Sequence, residues 1–335
     1  MRARDLAIEL GEGTPAAHNA ITDVAGVCVG HTTLIEGAAI RTGVTAVVPP
    51  ETPLFAGCHR LNGNGELTGL EWVRESGLLT TPIGLTNTFS VGVVRDAIAA
   101  ASADEDAWSL PVVGETYDGF LNDIRGQHVR AEHVHSALTD ASAETVAEGN
   151  VGGGTGMICH GFKGGIGTAS RTVGDYVVGV LVQANYGRRD RFRVNGVPVG
   201  KLIGEQIPAP ERARDTGSII GIVATDAPLL PHQCDRLAQR AGLGVGRTGG
   251  TGAHSSGDLF LAFATGNRGL ASSEREVSLR MLSDTEITPF YEAVIDATEE
   301  AILNALLAAE TMIGRDGNTA YALDPELLLE VVRQA

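Results

Sequence analysis

The strongest chemical signal in the chain is the Gly217-Ser218 step. A polar segment ends at Asp215-Thr216-Gly217, and a nearly continuous apolar run from Ser218 to Ala224 follows. Its length and β-branching predict a buried strand bounded by turn residues. A serine that opens a buried strand has two readings. It simply starts the strand, or the Gly217–Ser218 bond is cut and Ser218 becomes a new N-terminus. In the second case one residue carries both a hydroxyl nucleophile and an amine base. Gly217 has no side chain to obstruct attack of the Ser218 hydroxyl on its carbonyl. That attack is an N-to-O acyl shift, and hydrolysis of the resulting ester frees the Ser218 amine. A second strand start, Ser255-Ser256-Gly257-Asp258, precedes the apolar run Leu259 to Ala264. If both strands share a sheet and a direction, Ser218, Ser256 and Asp258 meet on one edge. That edge would hold a nucleophile, a hydroxyl to orient it, and an acid.

Other chemistries find less support. Gly244-Val245-Gly246-Arg247-Thr248-Gly249 spells a dinucleotide fingerprint. The fingerprint has meaning after a strand and at the opening of a helix, and here it follows a predicted helix. In a chain with 44 glycines a chance match is expected. Gly196 to Lys201 has the wrong spacing for a phosphate loop and lacks its Ser or Thr. His133 and His135 have no third ligand nearby and read as a solvated face. No G-x-S-x-G elbow occurs, and His254 is too close in sequence to Ser255 and Ser256 to face them. Neither a cofactor nor a metal is expected.

Several elements must hold these residues. Strands are predicted over 20–33 and Thr42 to Val48, the latter stopped by Pro49 and Pro50. A glycine-rich loop follows from Pro53, then a helix near Glu66–Ser76 closed by Gly77. A short strand covers Thr81 to Thr86, and Asn87 caps a helix over Thr88–Ala103. Leu110–Val113 reads as a strand, Glu115 to Ile124 as an acidic turn segment, and 132–147 as a polar helix. Tyr176 to Ala184 is a strongly apolar strand ended by Asn185. The charged stretch 190–217, with Pro198, Pro208 and Pro210, reads as an exposed linker. A helix over His232–Ala241 leads into a glycine tract from Gly242. Residues 289–309 predict the longest helix, apolar along one side with Glu on the other, and Pro325 starts a last one. Continuous apolar strands mixed with helices predict sheets covered on both faces, an α/β or α+β layered architecture.

The chain has 335 residues, 43% of them hydrophobic and only 4% aromatic, so its core is built from small aliphatic side chains. A net charge of −16 argues against nucleic acid and anionic membranes as partners. No run approaches the roughly 18 apolar residues of a membrane span. Cys28, Cys58, Cys159 and Cys234 are far apart, which disfavours a metal or redox motif and fits reduced thiols in the cytoplasm. Met1 to Leu6 lacks an apolar core, so no signal peptide is expected.

Longer motifs carry a resemblance over nearly the whole chain. They are Ile21-Thr-Asp-Val with Gly30-His31, Leu61-Asn-Gly-Asn-Gly-Glu-Leu-Thr-Gly69, and Glu115-Thr-Tyr-Asp-Gly119. Downstream come Gly152-Gly-Gly-Thr-Gly-Met157, Val182-Gln-Ala-Asn-Tyr-Gly187, Gly217 to His232, Arg247-Thr-Gly-Gly250 and Ser256-Gly-Asp258. Together they resemble the DmpA-type L-aminopeptidase/D-esterase family, which includes the β-aminopeptidases. These are self-processing serine hydrolases of the N-terminal-nucleophile-like class.

The resemblance implies an α+β fold, an αββα four-layer sandwich, formed by residues 1–335 as a single domain. It implies autocleavage into an α-subunit, 1–217, and a β-subunit, 218–335. Ser218 would be the nucleophile and its amine the base, with Ser256 and Asp258 orienting that amine. Asn185 would be the oxyanion donor and Tyr117 an active-site tyrosine, while Glu115 would hold the substrate's ammonium. Substrates would be small peptides or amino-acid amides, and the assembly a homotetramer of cleaved heterodimers. The alternative is an unprocessed, non-catalytic binding or assembly protein on the same fold.

Overall fold

Strands that are apolar on both faces need cover on both faces, and two sheets stacked between helices supply it. The computed structural model describes residues 1–101, 108–210 and 217–334. In chain order the strands are β1 (Cys28–Glu36), β2 (Ile40–Val48), β3 (Leu54–Gly63), β4 (Leu78–Leu79), β5 (Ile83–Asn87), β6 (Val112–Thr116), β7 (Ile158–Cys159), β8 (Phe162–Lys163), β9 (Gly165–Val173), β10 (Tyr176–Asn185), β11 (Gly217–Thr225), β12 (Ser256–Ala264), β13 (Met312–Ile313) and β14 (Thr319–Ala320). The helices are α1 (Leu70–Ser76), α2 (Val91–Ala100), α3 (Ala131–Thr139), α4 (Val199–Ile203), α5 (Pro231–Arg247), α6 (Thr288–Leu307) and α7 (Pro325–Gln334).

Strands β1-β2-β5-β6 form a four-stranded sheet, and β4-β3-β12-β11-β10-β9 a six-stranded one. Their inner faces share one apolar layer. Val47, Ile83 and Leu85 from the first sheet meet Leu181, Ile220 and Leu261 from the second. Helices α5 and α6 cover the outer face of the six-stranded sheet, where Leu237, Ala241 and Val294 pack on Val223 and Phe260. Helices α2 and α3 cover the other sheet through Val94, Ile98 and Val134. This is the αββα sandwich the resemblance implies. Fully burying one such aliphatic side chain contributes about 1.5–3 kcal/mol, so many small residues suffice.

Five expectations change. The glycine-rich stretch from Pro53 contains the strand β3, which pairs antiparallel with β12. Its Gly57 is a close-approach position, since a Cβ there would stand 2.2 Å from the backbone nitrogen of Asp235 on α5. Helix α5 does not stop at Ala241 but runs through Gly242, Gly244 and Gly246. A Cβ on Gly244 would lie 2.6 Å from Cβ of Thr298 on α6, so the apparent dinucleotide fingerprint is partly a helix-packing surface. The Glu side of helix α6 is largely covered, because Asp296, Glu299 and Glu300 are buried. Their carboxylates meet arginines: Arg171 lies 2.7 Å from Glu300, Arg4 3.1 Å from it, and Arg247 2.5 Å from Asp296.

Residues 190–210 are not an exposed linker either. Phe192, Val194, Val199 and Ile203 are buried in the core cluster that α5, α6 and α7 also enter; residues 211–216 of that stretch lie outside the described residues. The strand expected over 20–33 begins only at Cys28, after a single 3-10 turn at Ile21–Asp23.

Smaller boundaries also move. Helix α1 begins at Leu70 and ends as expected at Gly77, whose φ of 71° suits glycine. Asn87 accepts a hydrogen bond from Phe89 N at 3.0 Å, as expected for the cap. The helix it precedes reaches Ala100, and positions 102 and 103 of the expected span lie outside the described residues. Helix α3 ends at Thr139 rather than at 147. Among the described residues no helix is long and apolar enough to cross a membrane.

Candidate active site

Strands β11 and β12 are neighbours and parallel, with Gly217 opposite Ser256 and Ser218 opposite Gly257. Strand β10 runs antiparallel on the other side, so its last residue, Asn185, stands opposite Ser218. Two strand starts and one strand end therefore converge at one edge of the sheet. With strands about 4.8 Å apart, residues far apart in sequence become neighbours there.

Ser218 is buried. Its Oγ donates to the Gly217 carbonyl at 2.8 Å and accepts from Gly257 N at 3.4 Å. The hydroxyl thus lies against the peptide bond whose scission the sequence suggests. Gly217 is required by close approach, because a Cβ there would come within 2.5 Å of the Asn185 carbonyl oxygen. On β12, Ser256 Oγ donates to Asp258 Oδ1 at 2.5 Å. Burial raises the Asp258 carboxyl above its ordinary range, while the Ser256 hydroxyl and the Ile219 backbone N–H pull it back. Asn185 Oδ1 accepts from Ile158 N at 2.8 Å, and its Nδ2 donates to the Tyr117 carbonyl at 2.9 Å.

A cavity of about 860 Å³ opens onto this edge, lined among others by Ser218, Asn185, Tyr117, Glu115, Phe120 and Ile158. Five of the residues singled out from the sequence (Gly217, Ser218, Asn185, Tyr117 and Glu115) border it. Ser256 and Asp258 do not. They line a small recess of about 70 Å³, which also borders Gly217. The pair therefore approaches the Gly217–Ser218 peptide from outside the main cavity.

Glu115, at the end of β6, comes from the opposite sheet. Its Oε1 accepts from Glu66 N at 3.0 Å and its Oε2 accepts from the Thr88 hydroxyl. Burial raises its carboxyl above the usual range, and the Thr88 and Glu66 donors oppose that shift. Tyr117 is half-exposed, and its ring lies over Gly119, where an added Cβ would stand 2.3 Å from its hydroxyl.

The pattern also recruits residues that sequence reasoning passed over. Thr88 was read only as a helix start, yet its hydroxyl holds Glu115. Ile158 acts through its backbone N–H, which leaves no trace in residue type. His254 is exposed, and His133 and His135 lie on α3. Among the described residues no group of three or more His, Cys, Asp or Glu side chains is arranged to hold a metal ion.

Comparison with known proteins agrees with the fold and shows the family. The model of peptidase family S58 matches residues 19–320. A β-peptidyl aminopeptidase, BapA, from Sphingosinicella microcystinivorans is 47% identical over 99% of this chain and 92% of its own length. A β-aminopeptidase from Burkholderia sp. superposes with a TM-score of 0.95 at 53% identity, covering 100% of this chain and 99% of that one. The L-aminopeptidase D-Ala-esterase/amidase of Ochrobactrum anthropi, a prototype of the serine aminopeptidases with a variant Ntn-hydrolase fold, matches with a TM-score of 0.93 at 44% identity. That match covers 99% of this chain and 98% of the other. The chain belongs to peptidase family S58 and is a serine aminopeptidase.

Proposed function

We propose that this aminopeptidase processes itself at Gly217–Ser218 and uses Ser218 as an N-terminal nucleophile. The observation that carries this reading is the Ser218 hydroxyl, 2.8 Å from the Gly217 carbonyl oxygen at the margin of the cavity. In processing, Ser218 Oγ bonds to the Gly217 carbonyl carbon, the C–N bond breaks, and the Ser218 nitrogen leaves as an amine. Water then hydrolyses the ester, leaving a Gly217 carboxylate and a free Ser218 hydroxyl. Residues 1–217 and 218–335 become the two subunits of one domain.

In turnover the Ser218 amine takes the hydroxyl proton as Oγ attacks the substrate carbonyl, and it protonates the leaving amine. Asp258, held by Ser256, stabilises the ammonium that forms. Asn185 Nδ2 donates to the oxyanion. Glu115 receives the substrate's N-terminal ammonium, and Tyr117 closes the cavity beside it. Both carboxyls are buried, and no cation contributes to the shift of either. A buried carboxylate without a protein cation is a fitting receptor for a ligand ammonium.

Substrates are short peptides, amides or esters with small N-terminal residues. The names of the relatives, a β-peptidyl aminopeptidase at 47% identity and a β-aminopeptidase at 53%, favour β-amino acids at that position. Among the described residues no disulfide joins the four cysteines, which suits a cytoplasmic setting. Val277, Leu279 and Met281 alternate along an exposed irregular segment, which supports assembly into a homotetramer of cleaved heterodimers.

Intact-mass measurement with N-terminal sequencing tests processing. The expected result is two fragments, the smaller beginning at Ser218. An intact wild-type chain that hydrolyses β-alanine p-nitroanilide would sink the N-terminal-nucleophile mechanism. Comparing that substrate with L-alanine and D-alanine p-nitroanilides tests the preference, and light scattering after gel filtration tests the tetramer.

A further inference from the structure

Asn185 is gripped at both ends of its side chain, by Ile158 N at Oδ1 and by the Tyr117 carbonyl at Nδ2. Both grips sit in glycine-rich loops, which have little stiffness of their own. Behind each loop stands one fully buried ionisable side chain that does not line the catalytic cavity.

Asp118 follows Tyr117 directly. Its Oδ1 accepts from Asn122 Nδ2 at 3.1 Å, and the Thr42 and Asn87 side chains face the same carboxyl. Its backbone carbonyl accepts from Leu121 N at 3.1 Å and Asn122 N at 3.0 Å, closing the turn. Asn122 Oδ1 accepts from Arg41 N at 3.0 Å, which ties that turn to β2. Asp118 thereby fixes the carbonyl that receives the Asn185 amide.

Lys163 does the same from the other side. Its Nζ donates to the Gly164 carbonyl at 2.7 Å and to the Gly154 carbonyl at 3.3 Å. Those residues flank the loop that carries Ile158, and Gly164 N donates to the Met157 carbonyl at 2.8 Å. The ammonium staples the two ends of the loop together.

Burial pushes the Asp118 carboxyl up to about 7 and the Lys163 ammonium down to about 7. Ionisable groups this deeply buried are costly to keep, and apolar side chains often fill such volumes with no loss of stability. Both occupy positions that govern the aim of one amide.

We propose that Asp118 and Lys163 are positioning residues, each fixing one of the two loops that aim the Asn185 amide at a substrate carbonyl seated on Ser218. This rests on the reading of Asn185 as oxyanion donor.

The test is a double-mutant cycle with β-alanine p-nitroanilide, with rates normalised to processed enzyme. Asn185→Ala is expected to lower kcat about 100- to 1000-fold. Asp118→Asn and Lys163→Met are each expected to lower kcat about 10- to 100-fold, the loss typical of a small misplacement, with KM changed less than about twofold. In the Asn185→Ala background neither is expected to lower kcat further, because both act through that amide. Unchanged kcat in folded Asp118→Asn and Lys163→Met, or losses that multiply with that of Asn185→Ala, would overturn the proposal. So would failure of both variants to fold, which would assign them to stability alone. Asn185→Ala with normal kcat would instead remove the oxyanion reading itself, so the two failures are distinct.

Discussion

Two buried acidic clusters flank the six-stranded sheet, and they differ in what answers their charge. Along the outer face, Glu300 is clamped by Arg171 and Arg4, while Asp296 and Glu299 are met by Arg247. At the strand ends, Glu115 and Asp258 are equally buried but are held by hydroxyls and backbone N–H groups alone. The first cluster is complete within the protein and docks the N-terminal segment and β9 onto α6. In the second no cation contributes to the shift of either carboxyl, and in the proposed mechanism an amine, of Ser218 or of the substrate, supplies it. Burial alone therefore does not separate the two clusters; the presence or absence of a protein cation does.

Ser218→Ala is the sharpest way to break this contrast. Loss of a catalytic nucleophile costs about 10⁴-fold or more. The variant is expected to remain one intact chain of 34.8 kDa without aminopeptidase activity, as read by mass spectrometry and assay. Glu300→Ala strikes the other cluster, leaving the buried Arg171 unpaired at a cost of about 3–5 kcal/mol. Urea denaturation is expected to show that loss, with activity per folded molecule retained; a specific loss of turnover would erase the distinction between the clusters.

Glu115→Gln is expected to lower kcat/KM about 10- to 100-fold, chiefly through KM, as removal of one partner of a buried charge pair does. The Glu115 carboxylate is the binding form, and its pKa is raised by burial. Activity is therefore lost as pH falls through a value above the ordinary glutamate range. On the acid side, both Glu115 and the Ser218 amine must be deprotonated, so the wild-type profile of log kcat/KM is expected to steepen. Glu115→Gln is expected to return it to the slope of one group. Ser256→Ala has the smallest expected effect, about tenfold in kcat, the worth of one hydrogen bond to a charged group. Removing that donor raises the Asp258 carboxyl further and weakens the anion proposed to support the Ser218 ammonium; an unchanged kcat would detach the Ser256–Asp258 pair from catalysis.

Much of the site was legible because its signals are local. Ser218 and Ser256 each open an apolar run, and the parallel pairing of β11 with β12 joins them as the sequence suggested. Asn87 and Gly77 act as helix caps, which depend on neighbouring residues only. The errors have one origin. Gly57 and Gly244 were read as loop and tract residues because glycine disfavours regular structure in isolation. In the fold their missing side chains let α5 lie against β3 and α6. Glu299 and Glu300 were read only as the Glu side of the longest helix, because their arginines, Arg247, Arg4 and Arg171, are distant in sequence. Phe192 and Val199 were read as linker for want of periodicity, although core surface was waiting for them.

The sequence by itself determined the strands β2, β5, β10, β11 and β12, the caps at Gly77 and Asn87, the small-residue core and the paired strand starts, because these follow from short-range sterics and apolar patterning. Only the tertiary structure decided which charges are answered within the protein and which face a cavity. It also decided that Asp118 and Lys163 stand behind the two loops that grip Asn185. Those distinctions depend on contacts between residues tens to hundreds of positions apart, and residue type carries no record of them.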